Sequence, residues 1–213
     1  MGQFNIVCCG GTFDHFHKGH REFLKTCISY GEKIIIGLTS NDYAINKNCS
    51  NFIEPYEIRK RSVENFLKKE KSLRGVKIIS INNPFGPTLL KNFKCNALLV
   101  SEASLDRARV INEKRKELSL PPLKIVVQKI VLASDGKPIS SFRIRMGEIN
   151  REGKPYINPL WLSKNLFITS YLRKVLEKPF GELIEKIADY KRTDVSRVVT
   201  VGDITAKMFN KLS

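Results

Sequence analysis

The stretch FNIVCCGGTFDHFHKGHREFLKTCISYG, residues 4 to 31, decides the architecture because it changes from one periodicity to another in a single step. FNIVCC (4 to 9) is a short apolar run of the kind buried on both faces of a parallel sheet. HREFLKTCISYG (20 to 31) places Phe23, Leu24, Cys27 and Ile28 on one helical stripe and ends at Gly31, a helix stop. Between them, Gly10 and Gly11 free the backbone to turn sharply and approach a ligand. A helix starting near Lys18 then offers free N–H groups and a positive dipole end to phosphate. This order puts the peptide at the carboxyl end of the first strand, where open α/β sheets bind their ligands.

Four further short apolar runs follow: KIIIGL (33 to 38), VKIISI (76 to 81), ALLV (97 to 100) and LKIVVQKIV (123 to 131). They alternate with EPYEIRKRSVENFLKK (54 to 69), whose Val63, Phe66 and Leu67 share a helical stripe, and with LDRARVINEKRKEL (105 to 118). Alternation of this kind predicts right-handed βαβ crossovers, hence an α/β, Rossmann-like, five-stranded parallel sheet with helices on both faces. Arg59 and Arg61 read as the solvent face of the second helix. The texture changes near residue 150. REGKPYINPLW (151 to 161) reads as a linker, the stretch from 160 to 190 as helix broken near Pro179 and Gly181, and RVVTVG (197 to 202) as a strand before a last short helix. The expected division is a first domain over 1–153 and a helical or mixed extension over 154–213.

The totals bound the partners. Of 213 residues, 37 are Lys or Arg and 21 Asp or Glu, a formal charge of +16 that favours anionic ligands. The basic residues are spread along the chain without interleaved aromatics, so nucleic acid is not the expected partner. No apolar run approaches the ~20 residues of a membrane helix. The N-terminus shows no basic leader followed by an apolar stretch, so a soluble, cytoplasmic protein is expected. The five cysteines, without CxxC spacing, read as free thiols.

All three histidines fall within six residues, and His17 and His20 stand three apart across the helix start, so both can face one ligand. Imidazoles held there can donate hydrogen bonds to phosphate as charge develops in a transition state. Gly19 would leave room for a flat base or a phosphate. A zinc site would need a further well-aimed ligand, and no protein-bound metal is expected.

GGTFDHFHKGH (10 to 20) is similar to the nucleotidyltransferase signature GGTFDxxHxGH. With GLTSND (37 to 42), NNPFGPT (82 to 88), VSEAS (100 to 104) and VLASDGKPISSFRIRMGEINREG (131 to 153), the span from 6 to 153 resembles the archaeal phosphopantetheine adenylyltransferases. The resemblance implies transfer of AMP from ATP to 4′-phosphopantetheine, giving dephospho-coenzyme A and pyrophosphate by direct in-line attack. ISSFRIR (139 to 145) stands where that family has ISSTxxR, with Phe142 in the threonine's place. It implies catalytic roles for His17, His20, Lys47 and Arg145, and substrate contacts from Gly10, Gly11, Thr12, Gly19, Glu102, Ser140 and Ser141. Asp14 and His15 are expected to be structural supports. Mg2+ would be bound through the ATP phosphates, and a homo-oligomer is left open. Two other readings stand beside this one. One is an adenylyl- or cytidylyltransferase for another phosphorylated acceptor such as FMN, and the other a non-catalytic, basic nucleic-acid-binding module. The segments YLRKVLEKPFGELI and VVTVGDITAKMF resemble the start of archaeal GTP-dependent dephospho-coenzyme A kinases, as a truncation or a docking segment without kinase activity of its own.

Overall fold

The computed structural model of the chain describes residues 2–47, 50–70, 72 and 75–156, together with the strand backbones at 166–169 and 198–201. Two compact units result, Met1–Lys154 and Pro155–Ser213. In the first, strands β1 (Phe4–Gly11), β2 (Gly31–Thr39), β3 (Val76–Ile81), β4 (Ala97–Ser101) and β5 (Lys124–Gln128) form one sheet in the order β3-β2-β1-β4-β5. Every pairing is parallel. Helices α1 (Lys18–Tyr30), α3 (Tyr56–Lys69) and α4 (Leu105–Glu117) supply the crossovers; α2 (Asn41–Ala44) and α5 (Ser141–Arg145) are single turns.

The sheet is covered on both faces because β1 alternates. Val7 and Cys9 enter one core with Leu24 and Cys27 of α1 and Val63, Phe66 and Leu67 of α3. Cys8 enters the other with Leu98, Ala108, Ile111 and Leu123. Strand order reverses at β1, which lies between β2 and β4. That reversal opens a crevice beyond the carboxyl ends of β1 and β4, which is where ligands of doubly wound sheets bind.

Four expectations need correction. Gly10 and Gly11 lie within β1, and the left-handed turn is made instead by Phe13 (φ 51°) and His15 (φ 45°), whose side chains the surrounding packing and hydrogen bonds hold in place. Arg59 is fully buried rather than on the solvent face of α3. Cys8 and Cys95 are joined, with their Cα atoms 6.3 Å apart. The β1 to β4 pairing, including the hydrogen bond from Asn96 N to Ile6 O at 2.9 Å, brings together cysteines 87 positions apart, which spacing alone does not reveal. Cys9 and Cys27 are free and buried; a hydrogen bond between them, then burial, push the Cys9 thiol well up. Cys49 lies outside the described residues.

The fourth correction concerns the second unit. β6 (Leu166–Thr169), in a stretch expected to be helical, pairs in parallel with β7 (Val198–Val201), which falls on the expected strand RVVTVG. Leu-Phe-Ile-Thr is a β-prone tetrapeptide, and the Val-Val-Thr-Val run gives it a partner that helical periodicity could not foresee. The linker and helices expected elsewhere in 157–213 lie outside the described residues.

Candidate active site

Two clefts open at the switch point, one on either side of Gly10 and Gly11, which line both. The first, 370 Å³, is walled by Phe13, His17, Gly19 and His20, by Ser101 and Ser104 beyond β4, and by Ile139, Ser140 and Ser141 before and in α5. We call it the histidine cleft. The second, the lysine cleft of 330 Å³, carries Thr39, Tyr43, Lys47 and Arg107 at its polar end and Ile35, Phe93, Leu98 and Ile111 deeper in. Both volumes suit a nucleotide-sized or cofactor-sized ligand. Among the described residues, neither wall contains an Asp or Glu.

His17 caps α1 in extended backbone and is 4% exposed. Its backbone N–H donates to His20 Nδ1 at 3.4 Å, and the two rings stack with centroids 3.7 Å apart. Nε2 of His17 lies 3.4 Å from Ser141 Oγ, while its buried Nδ1 has no hydrogen-bond partner. Burial, then the nearby Arg21 charge, lower the His17 pKa to about 4. Burial followed by the charges of His17, Arg21 and Lys47 carry His20 well below its ordinary value. Both imidazoles are therefore neutral at pH 7, able to donate one hydrogen bond each without the mutual repulsion of two cations. Gly19 serves this pair, because a Cβ there would lie 3.1 Å from the His17 ring.

Across the glycines, Thr12 Oγ1 accepts a hydrogen bond from Lys47 Nζ. Lys47 has its pKa lowered by burial first and then by Arg107, Arg145 and Arg59, against a smaller opposing effect of Asp14. The loop is held from below by Arg59, whose guanidinium donates to the carbonyls of Thr12 (2.9 Å), Thr39 (2.8 Å) and Glu54 (2.7 Å) and to Asn41 Oδ1 (3.1 Å). Sequence reading missed this residue, since one Arg in a basic helix carries no local sign of burial.

Asp14 is the other fastening. Its fully buried carboxylate accepts from Glu54 N (2.8 Å), His15 Nδ1 (3.0 Å) and Arg145. Its carbonyl accepts from Ser141 Oγ at 2.7 Å. Asp14, His15 and Glu54 together form a compact set of potential metal ligands. Hydrogen bonds already engage that set: Glu54 also accepts from His15 N (2.9 Å) and Arg151 (2.7 Å). The histidine loop and α5 thus face one another in contact, as a shared triphosphate site would require.

The remaining residues divide. Ser140 caps α5, its Oγ accepting from Arg143 N at 3.3 Å, and both it and Ser141 line the histidine cleft. Arg145 turns toward Asp14, with the Phe142 ring 6.0 Å from its guanidinium carbon. Phe142 itself is 43% exposed. Glu102 neither caps α4 nor lines either cleft; its carboxylate accepts from Ile130 N at 3.0 Å and ties the ends of β4 and β5 together. Arg143 is occupied by Asp135 and Glu148.

Residues 8–147 match the cytidylyltransferase-like family model. The phosphopantetheine adenylyltransferase of Pyrococcus abyssi is 38% identical over 73% of this chain and 98% of its own length. That of Methanopyrus kandleri is 35% identical over 70% of this chain and 94% of its own. A bifunctional phosphopantetheine adenylyltransferase/NTP phosphatase of Thermoplasma acidophilum is 40% identical over 73% of this chain and 46% of its own length. Among solved structures, a protein of unknown function from Archaeoglobus fulgidus superposes with a TM-score of 0.52 at 32% identity, over 57% of this chain and 87% of that one. The likeness of the tail to a dephospho-coenzyme A kinase gains no support from these comparisons.

Proposed function

From the premise that this chain belongs to the cytidylyltransferase-like family, among its phosphopantetheine adenylyltransferases, we propose how its residues divide the work of adenylyl transfer. ATP and 4′-phosphopantetheine are the substrates, dephospho-coenzyme A and pyrophosphate the products, and the reaction is a step of coenzyme A synthesis. ATP lies in the histidine cleft, its base toward Ser101 and Ser104 and its phosphates over Gly10, Gly11 and Gly19. The acceptor lies in the lysine cleft, its phosphate at Thr12 and Lys47 and its arm toward the apolar floor. The observation that carries this reading is the pair of clefts meeting at Gly10 and Gly11, neutral imidazoles on one side and an ammonium on the other.

An acceptor phosphate oxygen is already a nucleophile at neutral pH, so the reaction needs no general base and no covalent intermediate. That oxygen attacks the α phosphorus as the bond from that phosphorus to the pyrophosphate oxygen breaks. Lys47 and Thr12 orient the attacking phosphate. His17 and His20 donate to oxygens that gain charge, Ser140 and Ser141 meet the leaving phosphates, and Arg145 faces them from its seat on Asp14. Glu102 acts on the nucleotide through the β4 and β5 ends it joins. Among the described residues the cleft walls carry no carboxylate, so Mg2+ would be held by the phosphate oxygens of ATP and would supply partial neutralisation of their charge. The domain over 1–153 is the catalytic one, and the reaction takes place in the cytoplasm. A panel of phosphorylated acceptors with ATP and with CTP, reading pyrophosphate release, tests the proposal. Release is expected with ATP and 4′-phosphopantetheine; equal or faster release with FMN or with CTP would sink it.

A further inference from the structure

Among the described residues, two cations stand on the wall of the lysine cleft, Lys47 and Arg107. Lys47 donates to Thr12. Arg107, in the first turn of α4, has no ion pair or side-chain hydrogen bond among the described residues. Its neighbour Asp106 is taken by Arg109 at 3.0 Å. Among the described residues, the wall itself holds no carboxylate that could turn toward it. Below this cationic rim the cleft becomes apolar, with Ile35, Phe93, Leu98 and Ile111. A charged mouth above an apolar floor fits an anion that carries a long uncharged arm, and a guanidinium offers a fork matched to phosphate oxygens.

We propose that Arg107 anchors the phosphate of the acceptor opposite Lys47 and is the residue that sets acceptor affinity. The proposal rests on the reading of the lysine cleft as the acceptor site. Lys47 and Arg107 line the same cleft, whose described wall holds no carboxylate, and burial followed by the Arg107 charge works against the charged form of Lys47, with a smaller opposing effect of Asp14. A phosphate dianion bridging them removes that repulsion and gives each a partner. Arg107 touches substrate at the group that reacts, and it does so from the helix side of the cleft, whereas Lys47 reaches it from the loop after α2.

Initial rates of pyrophosphate release, with each substrate varied in turn, are compared for wild type, Arg107→Ala and Arg107→Lys. Calorimetry on the same proteins compares binding of 4′-phosphopantetheine with binding of pantetheine, which lacks the phosphate. Arg107→Ala is expected to raise the acceptor KM at least about tenfold, leaving kcat and the ATP KM within about twofold. Arg107→Lys should recover part of that loss. Preference for the phosphorylated ligand should narrow in Arg107→Ala by the same factor. An unchanged acceptor KM, or equal weakening of both ligands, overturns the anchor while the adenylyltransferase reading stands. Wild-type protein that neither binds 4′-phosphopantetheine nor turns it over overturns that reading, and the anchor with it. Arg107 is exposed, and thermal melts of all three proteins check that the variants fold.

Discussion

His17 and His20 stack closely because neither carries charge, and that neutrality has consequences for both stability and rate. The pKa of His17 is about 4 in the folded chain against 6.5 as its ordinary value, so between those limits the unfolded chain binds the extra proton. Stability from this residue is therefore complete above pH 6.5 and is lost as pH falls toward 4, at about 1.4 kcal/mol per pH unit. His20 adds loss of the same sign. Denaturant titrations at pH 7 and pH 5 should show wild type losing roughly 2 kcal/mol more than His17→Gln. Identical losses would mean that His17 is charged in the folded protein. Under the proposed mechanism the same neutrality would make each ring a donor that gains strength only as the phosphates gain charge. His20→Ala should lower kcat by about a hundredfold or more while its melting temperature stays near that of wild type. Near-normal pyrophosphate release would remove His20 from the mechanism.

Elements meet at buried arginines in this fold. Arg59 of α3 reaches the ends of β1 and β2 and the start of α2, satisfying carbonyls that would otherwise be buried unpaired. Arg115 of α4 does the same on the opposite face, donating to Pro121 O at 2.8 Å and to the carbonyl of Thr88 in the lysine cleft. Replacing Arg59 by Met removes the donors and keeps the bulk, so urea denaturation should report a loss of about 3 kcal/mol or more. Arg61→Met, two residues on at an exposed position, should change stability by less than about 0.5 kcal/mol. Equal effects at the two positions would contradict the clamp.

These arginines also mark what the sequence could not disclose. Strands β1 to β5 were legible as short runs rich in β-branched residues, most nearly continuous in the central strands, while the outer strands β3 and β5 keep exposed positions. Helices α1, α3 and α4 were legible from their stripes and stops. The placement of His17 and His20 at the carboxyl end of β1 was legible from the order of strand and helix, whereas Thr12 and Ser141 were legible only through the family resemblance of their motifs. Arg59 and Arg115 sit in charge-rich helices, RKR and KRK, and only the tertiary partners tell the buried member from the solvated ones. The same holds for Cys8 with Cys95, for Glu102, whose partner Ile130 lies just beyond β5, and for α2, a single turn too short to have a period.

At the scale of the whole molecule, the first unit closes on itself before the second begins. Lys18 N donates to Arg151 O at 2.9 Å, Ser134 N to Gly153 O at 3.0 Å and Asn150 N to Lys154 O at 2.9 Å, so the segment after α5 is stitched back to the start of α1 and to the loop beyond β5. Ala133 and Ile139 before α5 and Ile149 after it form a small core between the two stretches. Every residue lining either cleft falls before this closure, and the matched family model ends at residue 147. A chain ending at Lys154 should therefore melt cooperatively and keep kcat and both KM values within about twofold of the full chain, since every described residue that lines either cleft is retained. Circular dichroism melts and pyrophosphate release on the two lengths measure this. A truncated chain that folds but loses turnover would assign residues 155–213 a part in the reaction. One that fails to fold would show that the backbone stitches at 150–154 are insufficient to close the unit.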